Sequence, residues 1–188
     1  MQSDIAALVL VLFLGIVVAR VLVMSTAGIS AMQIGKTHRS DFLIPPFVLI
    51  YFYVVFARAF GWPTFASQAF FESAAVSWVG VLLCMAGLIT LVISLVSFGR
   101  SFRVGIDNVH PDKLVTTGIF AVSRNPIYVG FWIILIGQFL IFPNWLLLLY
   151  IALASWLFHR QVLREESFLS QHYGREYDEY CSRVRRYI

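Results

Sequence analysis

The sequence predicts an all-α, polytopic membrane protein with about five transmembrane helices, a C-terminal helical hairpin and polar cytoplasmic segments. Three observations predict it. The 188 residues are 60% hydrophobic and 13% charged, where a soluble domain carries roughly 25% charge. Five apolar stretches follow one another: Ile5–Met24, Phe42–Phe60, Ala75–Phe98, Ile127–Phe142 and Trp145–Phe158. The basic residues between stretches fall on alternate connections, as they do in membrane proteins that keep Lys and Arg on the cytoplasmic side.

The first stretch follows Met-Gln-Ser-Asp, which holds no basic residue. Its apolar run is too long for a cleaved leader, so it reads as a retained transmembrane helix. The second and third stretches approach or exceed the ~20 residues that span a bilayer. The fourth and fifth are shorter and are separated only by Pro143-Asn144. That arrangement predicts two antiparallel legs extended by polar turns. After His159, residues Val162, Phe168, Leu169, Tyr173 and Tyr177 keep helical spacing, so the fifth helix is expected to continue until Gly174 interrupts it.

Residues 1–188 form one domain: residues 1–98 carry three helices, and residues 99–188 carry the polar loop, the hairpin and the tail. Lys36 and Arg39 follow the first helix. Arg100, Arg103, Lys113 and Arg124 lie between the third and fourth, and six arginines follow the fifth. The N-terminal tetrapeptide, the Gly61–Ala74 loop and the Pro143 turn have none. One topology satisfies every loop: N-terminus outside and both feet of the hairpin in the cytoplasm, in the inner membrane if the cell is bacterial.

The formal charge of +4 is what basic cytoplasmic loops produce, and it favours anionic membrane lipids nearby. It does not indicate nucleic-acid binding, since no basic stripe is interleaved with base-stacking aromatics. Cys84 and Cys181 form no disulfide framework or zinc motif. His38, His110, His159 and His172 have no metal-ligand spacing, so no metal is expected. Trp62, Trp78 and Trp145 read as outer-surface anchors.

Two polar blocks flank the hairpin. The first is Leu114-Val-Thr-Thr-Gly-Ile-Phe-Ala-Val-Ser-Arg-Asn-Pro-Ile-Tyr-Val-Gly130, and the second runs from Arg164-Glu-Glu to Tyr180. A helix rises 1.5 Å per residue. Asn125 therefore lies roughly 27 Å before Pro143, and Gln161 and Glu165 lie roughly 26 and 32 Å beyond Asn144. Asn125–Tyr128 should meet Gln161–Glu165 near the cytoplasmic surface. Taken alone, Glu165-Glu166 also fits a solvated helix face paired with Arg160 and Arg164. Tyr128 also fits an interfacial aromatic. Arg124-Asn125-Pro126 is in either case a helix start with proline in its first turn. Asp107 and His110 read as loop residues.

Leu114-Val-x-x-Gly-x-Phe120, Arg124-Asn-Pro-x-Tyr128-x-Gly130, Glu165-Glu-x-x-Leu169 and Tyr173-Gly-x-x-Tyr-x-x-Tyr180 occur in that order. In this combination the chain resembles the isoprenylcysteine carboxyl methyltransferase family, within the wider group that includes phospholipid methyltransferases. The resemblance covers roughly residues 98–188. It implies an integral-membrane enzyme that transfers a methyl group from S-adenosylmethionine to a lipophilic acceptor reaching it from the bilayer, and it makes the polar cytoplasmic segments cofactor-binding. It further implies that Asp112, Lys113, Leu114, Val115, Phe120, Asn125, Pro126, Ile127, Tyr128 and Glu165 border the cofactor, Glu165 at its amino group. Tyr128, Gln161 and Arg164 border the acceptor.

Two positions depart from the family pattern. Asn125 stands where the family has His; asparagine donates and accepts hydrogen bonds but cannot titrate near neutrality. Gln161 stands where the family has an Arg facing the acceptor. These departures leave a non-catalytic membrane protein of the same fold as one alternative. An NADPH-dependent enzyme resembling sterol reductases is another, with tail arginines for the phosphate. The residue chemistry agrees with S-adenosylmethionine: a carboxylate for its ammonium, aromatics for its sulfonium, and no Gly-x-Gly pattern for a Rossmann site.

Overall fold

The computed structural model describes residues 1–26, 44–63, 69–98 and 114–188. Among them every regular element is helical: α1 (Gln2–Thr26), α2 (Ile44–Phe60), α3 (Ala74–Phe98), a 3-10 turn (Gly118–Ala121), α4 (Pro126–Ile141), α5 (Trp145–Tyr173) and α6 (Arg175–Arg183). The α1, α3 and α5 helices are long and apolar enough to cross a membrane; α2 and α4 are apolar but shorter. Leu8, Leu12, Leu82, Ile89, Leu149 and Leu153 point outward, as lipid-facing residues do. The chain is an integral membrane protein.

The boundaries follow local chemistry. Pro126 opens α4, where its missing N–H removes a donor that has no helical partner in any case. Asn144 makes the break between α4 and α5. Its Oδ1 accepts from the Leu147 amide at 2.9 Å, capping α5, and its Nδ2 donates to the Phe142 carbonyl at 2.9 Å. Gly174 ends α5 at φ +51°, a left-handed angle that a side chain resists. The tail beyond it forms α6, which buries Tyr177 and Tyr180.

The main partner of α4 is not its hairpin mate α5 but α3. Glycines make that contact. A Cβ on Gly137 would lie 2.6 Å from the Gly80 carbonyl oxygen and 2.7 Å from Cys84 Sγ, and one on Gly87 would lie 2.8 Å from the Gly130 carbonyl oxygen. Small residues facing each other let two helix backbones approach closely, which drives helix association in lipid. The fully buried Gln138 ties this pair to α1, donating from Nε2 to the Ala6 carbonyl at 3.0 Å. The buried rings of Tyr51 and Tyr150 stack at 4.8 Å and join α2 to α5.

Candidate active site

The two polar blocks meet as the rise per residue requires. The Tyr128 hydroxyl on α4 donates to Glu165 Oε1 on α5 at 2.8 Å. Gln161 lies one turn before Glu165 and donates from Nε2 to the same oxygen at 2.9 Å. Both donors are neutral. Among the described residues, the Glu165 carboxylate has no cationic partner.

Glu166 is its opposite. It is 9% exposed, and three donors converge on it. Arg124 Nη2 lies 3.3 Å from Oε1, Arg186 Nη2 lies 2.8 Å from Oε2, and Asn125 Nδ2 donates to Oε1 at 3.3 Å. Asn125 Nδ2 also donates to the Arg186 carbonyl at 3.1 Å, and the Asn125 amide N–H donates to Ser123 Oγ at 3.1 Å. Successive helical residues point about 100° apart. Glu166 can therefore be sealed into the protein while Glu165 turns toward Tyr128.

The remaining residues fall around this pair. Pro126 is buried at the head of α4, and Ile127 is half-buried. Aromatic rings continue inward from Tyr128: Phe158 at 5.7 Å, Phe131 at 6.2 Å, and beyond Phe131 the ring of Phe13 at 5.5 Å. Phe120 is buried edge-on against Phe98 at 4.7 Å, and its carbonyl accepts from the Tyr180 hydroxyl at 2.7 Å. Burial pushes the Tyr180 phenol up to about 12. Leu114 and Val115 are half-buried. Arg164 is half-buried and makes no ion pair among the described residues. Arg160 lies over the Trp156 ring at 5.5 Å, off the Gln161 side. Asp112 and Lys113, with Asp107 and His110, lie outside the described residues. A separate cavity of about 340 Å³ opens at the opposite end of the helices, between Arg58, Glu72 and Asn144.

The sequence reading thus places Tyr128, Gln161 and Glu165 together and Asn125 beside them. It missed the clasp on Glu166 from Arg124 and Arg186. Arg124 carried a signal, being adjacent to the Asn-Pro-x-Tyr run. Arg186 carried none beyond its charge.

The family model for phospholipid methyltransferases matches residues 75–176. A probable protein-S-isoprenylcysteine O-methyltransferase of Oryza sativa subsp. indica is 35% identical over 114 residues, 58% of this chain and 59% of that protein. Protein-S-isoprenylcysteine O-methyltransferase B of Arabidopsis thaliana is 32% identical over 112 residues, 58% of this chain and 57% of that one. The Saccharomyces cerevisiae protein-S-isoprenylcysteine O-methyltransferase is 34% identical over 109 residues, 56% of this chain and 46% of that one. The chain therefore matches at most 59% of the length of these relatives. The solved structure of a eukaryotic intramembrane Ras methyltransferase, isoprenylcysteine carboxyl methyltransferase, superposes with a TM-score of 0.59 at 23% identity, covering 88% of this chain and 58% of that one.

Proposed function

Because this chain belongs to the phospholipid methyltransferase family, we propose that it is an integral-membrane methyltransferase that uses S-adenosylmethionine to methylate a lipophilic acceptor. The observation that carries the reading is Glu165: a half-buried carboxylate held by two neutral donors on one oxygen, with no cation among the described residues. A carboxylate removed from water wants a charge partner. The ammonium of S-adenosylmethionine supplies it, and Oε2 is the oxygen left for it.

The residues present fit the cofactor. Tyr128 and Gln161 orient Glu165. Leu114, Val115 and Phe120 flank the cofactor, with Asn125, Pro126 and Ile127 fixing the foot of α4 against it. The bound cofactor supplies an electrophilic methyl group on a sulfonium, so no nucleophilic side chain is needed. What the protein contributes is alignment and exclusion of water. Tyr128, Gln161 and Arg164 border the acceptor, whose apolar tail reaches the site from the bilayer past the rings around Tyr128. The N-terminus lies outside and the site faces the cytoplasm, where the cofactor is made.

The test is calorimetric titration of the detergent-solubilised protein with S-adenosylhomocysteine, wild type beside Glu165→Ala. Binding that disappears in the variant is expected. A folded wild-type protein that binds none overturns the proposal.

A further inference from the structure

Residues 184–188 form a strap that the proposed chemistry does not use. Leaving α6, they turn back across the feet of both hairpin legs. The Arg185 carbonyl accepts from the Arg124 amide at 3.0 Å. The Arg186 carbonyl accepts from Asn125 Nδ2 at 3.1 Å and from Ser123 Oγ at 3.5 Å. Arg186 Nε and Nη2 both lie 2.8 Å from Glu166 Oε2. The Tyr187 hydroxyl meets His159 Nδ1 at 2.7 Å, and its ring packs edge-on against Trp132 at 4.6 Å. One short segment therefore grips residues before α4, within α4 and along α5.

This grip matters because α4 meets its hairpin mate less closely than it meets α3, chiefly through the rings of Tyr128, Phe131 and Trp132 around Phe158. The α4 helix is locked onto α3 by the glycine contacts and touches α5 much less. Those rings lie inward of the foot of α4, so the polar contacts at the foot itself fall to the strap and to the residues that it touches. The two residues whose contact defines the site sit at that foot. Tyr128 follows closely on Asn125, and Glu165 precedes Glu166. Charge neutralisation does not explain the second arginine either, since Arg124 already stands at Glu166. Beside the direct 3.3 Å hydrogen bond from Asn125 to Glu166, Arg186 adds a second and shorter link between the same two residues, through its guanidinium and its carbonyl.

We propose that Arg186 is a positioning residue: acting through Glu166 and Asn125, it fixes the approach of α5 to α4 so that Tyr128 holds Glu165 ready for a cation. The effect on cofactor binding rests on the reading of Glu165 given above. The effect on the Tyr128–Glu165 contact does not.

The experiment uses the full chain in detergent with four variants: Arg186→Ala, Arg186→Lys, Glu165→Gln, and Arg186→Ala combined with Glu165→Gln. Affinity for S-adenosylhomocysteine should fall roughly ten- to a hundredfold in Arg186→Ala, by analogy with residues that orient the ligands of a metal site. Lysine should restore part of it. In the Glu165→Gln background, Arg186→Ala should change affinity little further, because both changes act through one contact. Independent, additive losses overturn the proposal, as does wild-type affinity in Arg186→Ala. A second readout needs no ligand: 3-fluorotyrosine placed at Tyr128 alone should shift its fluorine resonance in Arg186→Ala and recover in Arg186→Lys. An unmoved resonance overturns the proposal. A moved resonance in a protein that never binds S-adenosylhomocysteine supports the positioning role and overturns the methyltransferase reading instead. If Arg186→Ala does not fold, Arg186→Lys carries both readouts. Lysine keeps the charge but loses the guanidinium fork, so an intermediate affinity and shift are then expected, and wild-type values for both overturn the role.

Discussion

Glu165 and Glu166 are consecutive residues of α5 that end in opposite electrostatic surroundings. Glu166 is met by two arginines and an asparagine, Glu165 by a phenol and an amide. Their replacement should therefore separate stability from binding. Glu166→Gln leaves Arg124 and Arg186 facing a neutral amide in a largely buried place. Breaking such a pair costs roughly 3 kcal/mol, read as a lowered melting temperature in detergent. Glu165→Gln should melt close to wild type and lose cofactor affinity at least tenfold. Equal melting temperatures for the two variants would contradict the division of labour.

The glycine contacts give a graded prediction. Gly137→Ala places a methyl group 2.6 Å from the Gly80 carbonyl oxygen. Backbone cannot yield cheaply there, so α3 and α4 must separate at a cost of about 1–3 kcal/mol. Gly15→Ala meets nothing within 4 Å and should stay within about 1 kcal/mol of wild type. Thermal melts of both variants decide it. Equal effects would mean that the α3–α4 approach is not set by these glycines.

Tyr180→Phe removes the donor to the Phe120 carbonyl. An unsatisfied buried carbonyl costs about 1–3 kcal/mol. The phenol also carries a pH signature. It is raised from 10.0 to about 12, first by burial. Its folded form holds the proton more tightly than its unfolded form, so its stabilisation is complete below pH 10 and is lost as pH rises through 12. Melting curves of Tyr180→Phe should fall less steeply than wild type over that window. Parallel curves would remove Tyr180 from the alkaline transition.

Gln161 bears on the acceptor. A carboxylate acceptor wants a fixed cation; Arg160 is laid over Trp156 and Arg124 and Arg186 are held by Glu166, which leaves Arg164 for that part, and a second cation at position 161 would add to it. Gln161→Arg should therefore raise turnover of a prenylcysteine carboxylate several-fold, measured as transfer of labelled methyl from S-adenosylmethionine. No gain, with cofactor binding intact, would mean that position 161 does not face the acceptor.

Much of this arrangement was legible in the sequence. The five apolar stretches lie within a few residues of the observed helices, and Gly174 stops α5 where the pattern breaks. The meeting of Tyr128 with Glu165 follows from one number, the rise per residue, applied from a common break at Pro143-Asn144. The packing partner of α4 was not legible, because two adjacent apolar runs suggest each other as neighbours. Only the glycines at 80 and 87 facing those at 130 and 137 decide for α3. The fate of the two glutamates was hidden for a different reason. Which one is neutralised depends on Arg186, and residues 184–188 carry no helical period that would predict where they return.

The strap also sets a clock. Arg124 and Asn125 leave the ribosome well before Glu166, and Glu166 before Arg186. At about 5–20 residues per second, the interval from Asn125 to Arg186 is roughly 3–12 s. During it α3 and α4 can already dock through their glycines, while the cationic foot of α4 waits at the membrane surface without its acid. The site thus matures later than the α3–α4 pair, and a nascent chain stalled in that window holds Arg124 without its acid.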